Sequence, residues 1–375
     1  MTGAPMIMYG MKVSGNTARA RSYLIKASIP YVEKAPATLR FIQEIVPKAG
    51  GVRTMPTFEF ADGTVIRDGG AIIQYYEDQS GHTFSPKTPK QNLVSRLFDT
   101  LGADGMFRPG MHYRWSFPDD NLDFLNWNTF RILPPGFQTQ EFADAGHKQM
   151  QDAAKRLGVS PQTAPLIEEL YAEQLAAFEA HLTDHPYILG GRPSVADFGM
   201  MIMWHAHLGR DPKALPIMQK NGPAVLRWTE RMNVHAEDTT EYETYPHWGE
   251  FVPEDAIPQT LINLMKVYAV DYVPETLAAA QSINAWLADN APEPGSKAER
   301  SYGYAQFDVR GTPVSATAQT YRFYLLQRVQ KIYEAMDKTT RADMDAILEE
   351  ANMMPILTAK LNRELGRANN CEAWL

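Results

Sequence analysis

The sequence predicts an α/β domain, then an all-helical region, then a further and mostly helical stretch. Three observations predict it. Strand and helix signals alternate over the first eighty or so residues, strand signals nearly vanish from Gln91 onward, and a polar, proline-rich segment from Gly81 to Pro89 stands between them. With 375 residues the chain is longer than one hydrophobic core usually organises, since domains mostly run to roughly 100–150 residues. The expected divisions are residues 1–85, 90–250 and 251–375.

Taken in order, Met6-Ile7-Met8-Tyr9 is a short apolar run ended by Gly10. Thr17 to Ala27 suits a helix that stops before Ile29-Pro30, and Tyr31-Val32 reads as a second strand. After a helix-compatible stretch from Leu39 to Val46, the runs Thr57–Phe60 and Thr64–Ile66 flank Ala61-Asp62-Gly63, and an Asp-Gly pair between strands signals a hairpin. A helix from Gly70 to Asp78 closes the unit. The order βαβ, helix, ββα is that of a thioredoxin-like domain. Asn92–Leu101, Pro165–Leu182, Val195–Leu208 and Gly222–Val234 carry apolar residues at helical spacing. The third region, beginning near Pro253, has helical stretches at Pro258–Tyr272, Pro274–Ala288, Ala316–Met336 and Arg341–Leu365. Between them lie a loop at Ala291–Ser296 and the run Tyr302–Val309, read as a small β-hairpin or an ordered loop.

Composition narrows the function. An apolar fraction of 44% with 21% charged residues is that of a chain that folds throughout. A net charge of -8 argues against nucleic acid, whose phosphates call for clustered Lys and Arg. Met1-Thr2-Gly3-Ala4-Pro5 shows no charged segment leading into an apolar one, so no secretory signal is expected there. The most apolar stretch, Phe198 to Met203, is followed by His205 and His207 and is far short of the roughly 20 residues a membrane span needs. The lone cysteine, Cys371, allows no intramolecular disulfide and no cysteine metal cluster. A cytoplasmic protein without metal is expected, with Cys371 passive near the chain end.

The loop from Gly10 to Thr17 sits where the first helix begins, and backbone N–H groups there favour an anion. A dithiol oxidoreductase needs two cysteines at that place; Ser14-Gly15-Asn16-Thr17 supplies none. A hydroxyl can still donate a hydrogen bond to a thiolate carried in by a ligand. Such a bond to a charged group contributes about 1.5–3 kcal/mol. At about 1.4 kcal/mol per pKa unit, that brings a thiol of pKa roughly 8.5 down to or below neutrality.

The segment Met8-Tyr9-Gly10 through Ser14-Gly15-Asn16 to Arg19-Ala20-Arg21-Ser22-Tyr23-Leu24 resembles the opening of bacterial glutathione transferases. The resemblance implies glutathione as co-substrate and Ser14 as the residue that activates its thiol, with Asn16 two positions on as a second contact. The plain alternative is that Ser14 only caps the helix. Tyr9 is the rival donor, because other classes of the family use a tyrosine at the end of the first strand. Thr54-Met55-Pro56-Thr57 resembles the family's cis-proline loop, in which the residue before proline, here Met55, pairs with the cysteinyl backbone of glutathione. The family's Glu-Ser pair, which binds the γ-glutamyl end, corresponds to Asp68-Gly69; the carboxylate and backbone N–H are kept and the hydroxyl is lost. Arg67 and Arg53 are candidate partners for a carboxylate of the tripeptide.

Pro186 to Phe198 resembles the helical-domain signature of the same family, and Ser194-x-x-Asp197 is a capping-box variant with a structural role. Met111 to Phe117 gathers His112, Arg114 and Trp115 into either the wall of an acceptor pocket or an interdomain packing cluster. His181 and His185 are at i, i+4 spacing but lack a third ligand. The family's usual layout ends near Val252, so about a third of the chain is extra. Its Tyr302, Tyr304, Phe307, Tyr321, Phe323 and Tyr324 pack a small core, cover the pocket or meet a second subunit. The resemblance also implies a homodimer acting on a small hydrophobic electrophile. A binding or scaffolding protein that kept the fold and lost the chemistry is the alternative.

Overall fold

The computed structural model describes residues 5–375; the opening stretch Met1–Ala4, read above for a signal, lies outside the described residues. The N-terminal unit runs β1 (Met6–Tyr9), α1 (Gly15–Lys26), β2 (Tyr31–Lys34), a wide helical turn at Phe41–Ile45 leading into α2 (Val46–Lys48), β3 (Thr57–Glu59), β4 (Val65–Arg67) and α3 (Gly69–Ser80). The sheet order is β2-β1-β3-β4, with β1 parallel to β2 and antiparallel to β3. The Asp-Gly hairpin closes as expected: Phe60 N–H donates to Thr64 O at 2.9 Å, and Thr64 N–H to Asp62 Oδ1 at 2.9 Å. Strand alternation sends Met6, Met8 and Phe58 to the face packed with Tyr23, Leu24, Ile72 and Ile73, while Tyr9 and Val65 meet Phe41 and Ile45 on the other.

The helices that follow are α4 (Pro89–Thr100), α5 (Phe107–Trp115), α6 (Pro118–Ile132), α7 (Gln140–Arg156), α8 (Ala164–Asp184), α9 (Val195–Met203), α10 (Leu215–Asn221) and α11 (Pro223–Arg231). Both α4 and α9 end in a wider turn, at Leu101–Gly105 and Trp204–Leu208. α9 is buried on all sides, packed against α1 and α4. Its start is fixed by Asp197, which accepts from Ser194 N–H (2.8 Å), Ser194 Oγ–H (3.0 Å), Ile188 N–H (3.1 Å) and Trp228 Nε1–H (3.0 Å). Burial raises the Asp197 carboxyl above its ordinary value, against these donors.

The last third corrects several sequence expectations. The two helices expected at Pro258–Tyr272 and Pro274–Ala288 are one, α12 (Gln259–Asp289), with Pro274 inside it. A mid-helix proline costs about 3 kcal/mol, and burial of Leu261, Leu264, Met265, Tyr268, Tyr272 and Ile283 along its length offsets that cost. The helix expected from Ala316 begins only at Thr320: α13 covers Thr320–Glu334. Val314, Ala316 and Ala318 are buried at alternate positions in β6 (Thr312–Gln319), which pairs with β5 (Ser301–Val309); the Tyr302 run, read as a small hairpin or an ordered loop, is one strand of this longer hairpin. The helix expected over Arg341–Leu365 is α14 (Lys338–Glu350), after which the chain enters a second hairpin, β7 (Leu365–Ala368) and β8 (Cys371–Trp374).

This third region is joined to the rest. Arg322 of α13 is buried against Asp104 and Glu275, and Arg108 of α5 lies 2.7 Å from both Asp271 and Glu275. The β7–β8 hairpin lies on the free edge of β4. The Asn370 carboxamide stands in for a strand, donating to Val65 O (2.9 Å) and accepting from Arg67 N–H (3.2 Å). Trp374 packs with Trp286 and Tyr302, and Cys371 is buried close to the Gly50 backbone. Among the described residues no helix is long and apolar enough to cross a membrane.

Candidate functional site

Ser14 is the N-cap of α1, with φ -86° and ψ 124°, and its Oγ accepts the Thr17 N–H at 3.4 Å. A hydroxyl that accepts in this way keeps its own proton to donate. Ser14 and Asn16 are both half-buried. The next residue explains how close the neighbouring helix comes: a Cβ on Gly15 would lie 2.7 Å from Ile202 Cγ2 of α9. A Cβ on Gly69 would likewise fall 2.8 Å from Asn16 O and 3.7 Å from Pro56 Cγ. The starts of α1 and α3 and the loop before β3 therefore meet at one place, and the Met55–Pro56 peptide bond there is cis.

Asp68 precedes α3 at φ 91°, a conformation that side-chain-bearing residues adopt at a cost. Its Oδ1 accepts from Gly70 N–H (2.8 Å), from Ala71 N–H (3.1 Å) and from the Tyr321 hydroxyl of α13 (3.1 Å). Burial works to raise its pKa, but Arg367, Arg19 and Arg67 overcome this and hold the carboxyl below its usual range. Arg19 is itself buried, paired with Asp99 and 3.5 Å from the Tyr321 oxygen.

The structure reassigns several residues named from sequence. Arg67 is engaged by the C-terminal hairpin, with Nε on Asn370 O at 2.6 Å and Nη2 on Glu372 at 3.3 Å, so it does not face an incoming carboxylate. Arg53 is exposed. Tyr9 lies on the opposite face of the sheet, its hydroxyl donating to Glu59 at 2.9 Å and accepting from Arg40. Burial, then Glu59, pushes its pKa up to about 12.

The three candidates on α5 do not form one wall. His112 turns to Glu168 of α8 at 2.9 Å and packs on Tyr113 and Phe117, while Trp115 packs on His147 of α7. Arg114 points towards α1. It spends all five of its N–H donors within the protein: Nε on Asp211 Oδ2 (2.7 Å), Nη1 on Val13 O (2.8 Å) and His207 Nε2 (2.9 Å), Nη2 on Ala206 O (2.7 Å) and Asp211 Oδ1 (2.8 Å). None is left for a substrate. Sequence reading missed Arg367, Asn370 and Asp211, which lie far along the chain from the loops they serve, and named Tyr321 only among the aromatics of the last third, without its bond to Asp68. The Asn369-Asn370 pair, both at positive φ, is the one local signal that marks the C-terminal hairpin.

The i, i+4 histidines are both partnered within the protein. His181 bonds Thr260 Oγ1 (2.8 Å) and Ile188 O (3.0 Å), and His185 bonds the Tyr245 hydroxyl (3.0 Å). Burial, then His185, lowers His181 to about 3, and burial, then Arg210 and Arg21, lowers His205 to about 3. Both are neutral in the folded chain and protonate near 6.5 once unfolded. Depressed folded values mean that their contribution is present above about pH 6.5 and is lost as pH falls towards 3. Thermal melts should therefore show Tm declining below about pH 6.5, with a shallower decline in His181→Gln; an equal slope in that variant would refute the assignment.

Residues 8–84 match the model of the glutathione S-transferase N-terminal domain, and residues 161–231 match that of the C-terminal domain. The chain belongs to the glutathione transferase superfamily. A curated relative, the isoprene-epoxide–glutathione S-transferase of Rhodococcus sp. (strain AD45), is 25% identical over 145 residues, which cover 37% of this chain. The match spans 58% of that relative's length. Among solved structures, the glutathione S-transferase isozyme E7 of Drosophila melanogaster is 20% identical, covering 60% of this chain and 85% of that one at a TM-score of 0.39. A glutathione transferase from Phanerochaete chrysosporium is 14% identical, covering 63% and 99% at a TM-score of 0.44.

Proposed function

We propose that this member of the superfamily is a glutathione transferase in which Ser14, with Asn16 beside it, steadies the glutathione thiolate for attack on a small hydrophobic electrophile. The observation that carries the reading is the Ser14 hydroxyl: half-buried, capping α1 through its oxygen, and free to donate its proton. The thiol proton leaves to water and the sulfur forms a bond to an electrophilic carbon. The departing group takes the electron pair of the bond that breaks, and Ser14 keeps its own proton throughout. The Met55 backbone would pair with the cysteinyl part of the tripeptide, and Asp68 with Gly69 would meet its γ-glutamyl end. The epoxide in the Rhodococcus relative's name makes a strained epoxide one electrophile to test beside an aryl halide. A cytoplasmic homodimer with a role in detoxification is the setting the family suggests.

Calorimetric titration with glutathione, followed by conjugation to a chromogenic aryl halide, tests this. Ser14→Ala removes a hydrogen bond to a charged sulfur, so kcat/KM near pH 7 should fall on the order of 10- to 100-fold. Glutathione affinity at high pH should change little. Activity indifferent to Ser14→Ala would move the role to Asn16.

A second reading, a binding protein of the same fold without glutathione chemistry, is favoured by the state of Asp68 and Arg67. Asp68 is occupied by its own helix and by Tyr321, and Arg67 by the C-terminal hairpin. Absence of glutathione binding at millimolar concentration would select it.

A further inference from the structure

The three carbonyls just before Ser14 are each approached by an arginine from a different part of the chain. Met11 O receives Arg21 Nη2 of α1 at 3.4 Å, Lys12 O receives Arg210 Nη1 from the segment after α9 at 2.8 Å, and Val13 O receives Arg114 Nη1 of α5 at 2.8 Å. Met11 O also accepts the Ser14 N–H at 3.1 Å, closing the turn that delivers the serine to the helix. Two of the arginines are held in turn. Arg21 grips Glu33 with Nε (3.0 Å) and Nη2 (2.8 Å), and Arg114 is fixed by the buried Asp211, His207 and Ala206 O.

From this we infer that Arg114 is a positioning residue for Ser14, assisted by Arg210: the helical region sets the direction of the Ser14 hydroxyl by gripping the backbone one and two residues before it. The inference rests on the reading of Ser14 given above. A strand-to-helix loop without such anchors can rotate its peptide planes, and a hydroxyl at its end then samples directions other than the one that meets the sulfur. Arg114 is suited to the task because its planar fork places five donors at once. Lysine offers three from a single atom, so it can keep the charge beside Asp211 while losing the Val13 contact. Removing the arginine outright would leave the Asp211 carboxylate buried without a partner, which makes Lys the informative replacement.

The first experiment uses the ligand-free protein. Hydrogen–deuterium exchange of the Ser14 amide and its neighbours should quicken on the order of 10-fold in Arg114→Lys and in Arg210→Met. Protection in α8 and α12 should be unchanged. Arg210 is half-buried and its variant keeps the Arg114–Asp211 pair, so it decides the matter should Arg114→Lys fail to fold. Unchanged exchange at Ser14 in a folded variant overturns the inference.

The second is a double-mutant cycle on glutathione conjugation. Arg114→Lys should lower kcat/KM on the order of 10-fold when Ser14 is present, and should have no further effect in the Ser14→Ala background. Additive losses would mean that Arg114 acts independently of Ser14 and would overturn the inference. If Ser14→Ala alone leaves conjugation untouched, or glutathione does not bind, the functional reading fails, and the exchange measurement still decides whether Arg114 holds the loop.

Discussion

Asp197→Ala should lower the unfolding free energy by about 3–5 kcal/mol, the scale of several buried donors left unpaired at once, measured by urea denaturation monitored through tryptophan fluorescence. The side chain is fully buried and takes four donors, from Ser194 N–H, Ser194 Oγ–H, Ile188 N–H and Trp228 Nε1–H. Truncation leaves all four facing a void, and each buried unpaired donor costs about 1–3 kcal/mol. Asp197→Asn should not restore the wild-type value. One of its two positions must become an N–H donor, and it then confronts either Ser194 N–H or the Ile188 and Trp228 pair. Because α9 packs on α1 through Gly15 and Ile202, the damage should reach the Ser14 loop, and conjugation should fall with stability. A loss below about 1 kcal/mol, the level of an ordinary helix cap, would show that the carboxylate acts only as a cap.

Arg322→Met should cost a similar amount, about 3–5 kcal/mol, for a different reason. Arg322 is 3% exposed and serves Asp104, Glu275 at 2.9 Å and Thr276 Oγ1 at 3.0 Å, with its guanidinium 5.0 Å from the centre of the Tyr272 ring. Methionine fills much of the volume but leaves three buried carboxylates, Asp104, Asp271 and Glu275, to share Arg108. Burial already raises the Asp104 carboxyl above its ordinary range against the pull of Arg322. Without that pull it rises further, so the variant binds a proton on Asp104 that the unfolded chain releases. A raised folded pKa is a contribution present at low pH and lost as pH climbs through it. The gap between variant and wild type should therefore narrow below about pH 4 and be widest at neutral pH. A gap independent of pH would mean that lost packing, rather than the unpaired carboxylate, dominates.

What could be read from the sequence was local. Asp62-Gly63 between two short apolar runs gave the hairpin, and Ser14 ahead of Thr17 to Ala27 gave the start of α1. The Ser194-to-Asp197 spacing gave the start of α9. Each involves residues within a turn or two of one another, where propensity and side-chain reach decide the outcome. The failures are cases in which distant packing wins. Ala316 and Ala318 favour helix by propensity, yet alternate burial against α12 keeps them in β6. Pro274 reads as a break but is carried inside a helix whose flanking turns are buried. At the candidate site, the cluster Met111 to Phe117 reads as one surface. Neighbouring positions on a helix face different ways, so Arg114 reaches Val13 while Trp115 meets His147. Tyr321 stands 253 residues from Asp68, a separation that no periodicity can bridge.

The sealing of β4 bears on how this protein meets its neighbours. An outermost strand with idle backbone groups invites a strand from another molecule, the usual route to sheet extension between chains. Here the outward groups of Val65 and Arg67 are already taken, by Asn370 and by Arg367, whose Nη2 donates to Arg67 O at 2.9 Å. A foreign strand would have to evict both before it could add beside β4, so any ribbon-to-ribbon growth of this sheet is confined to its opposite edge, β2.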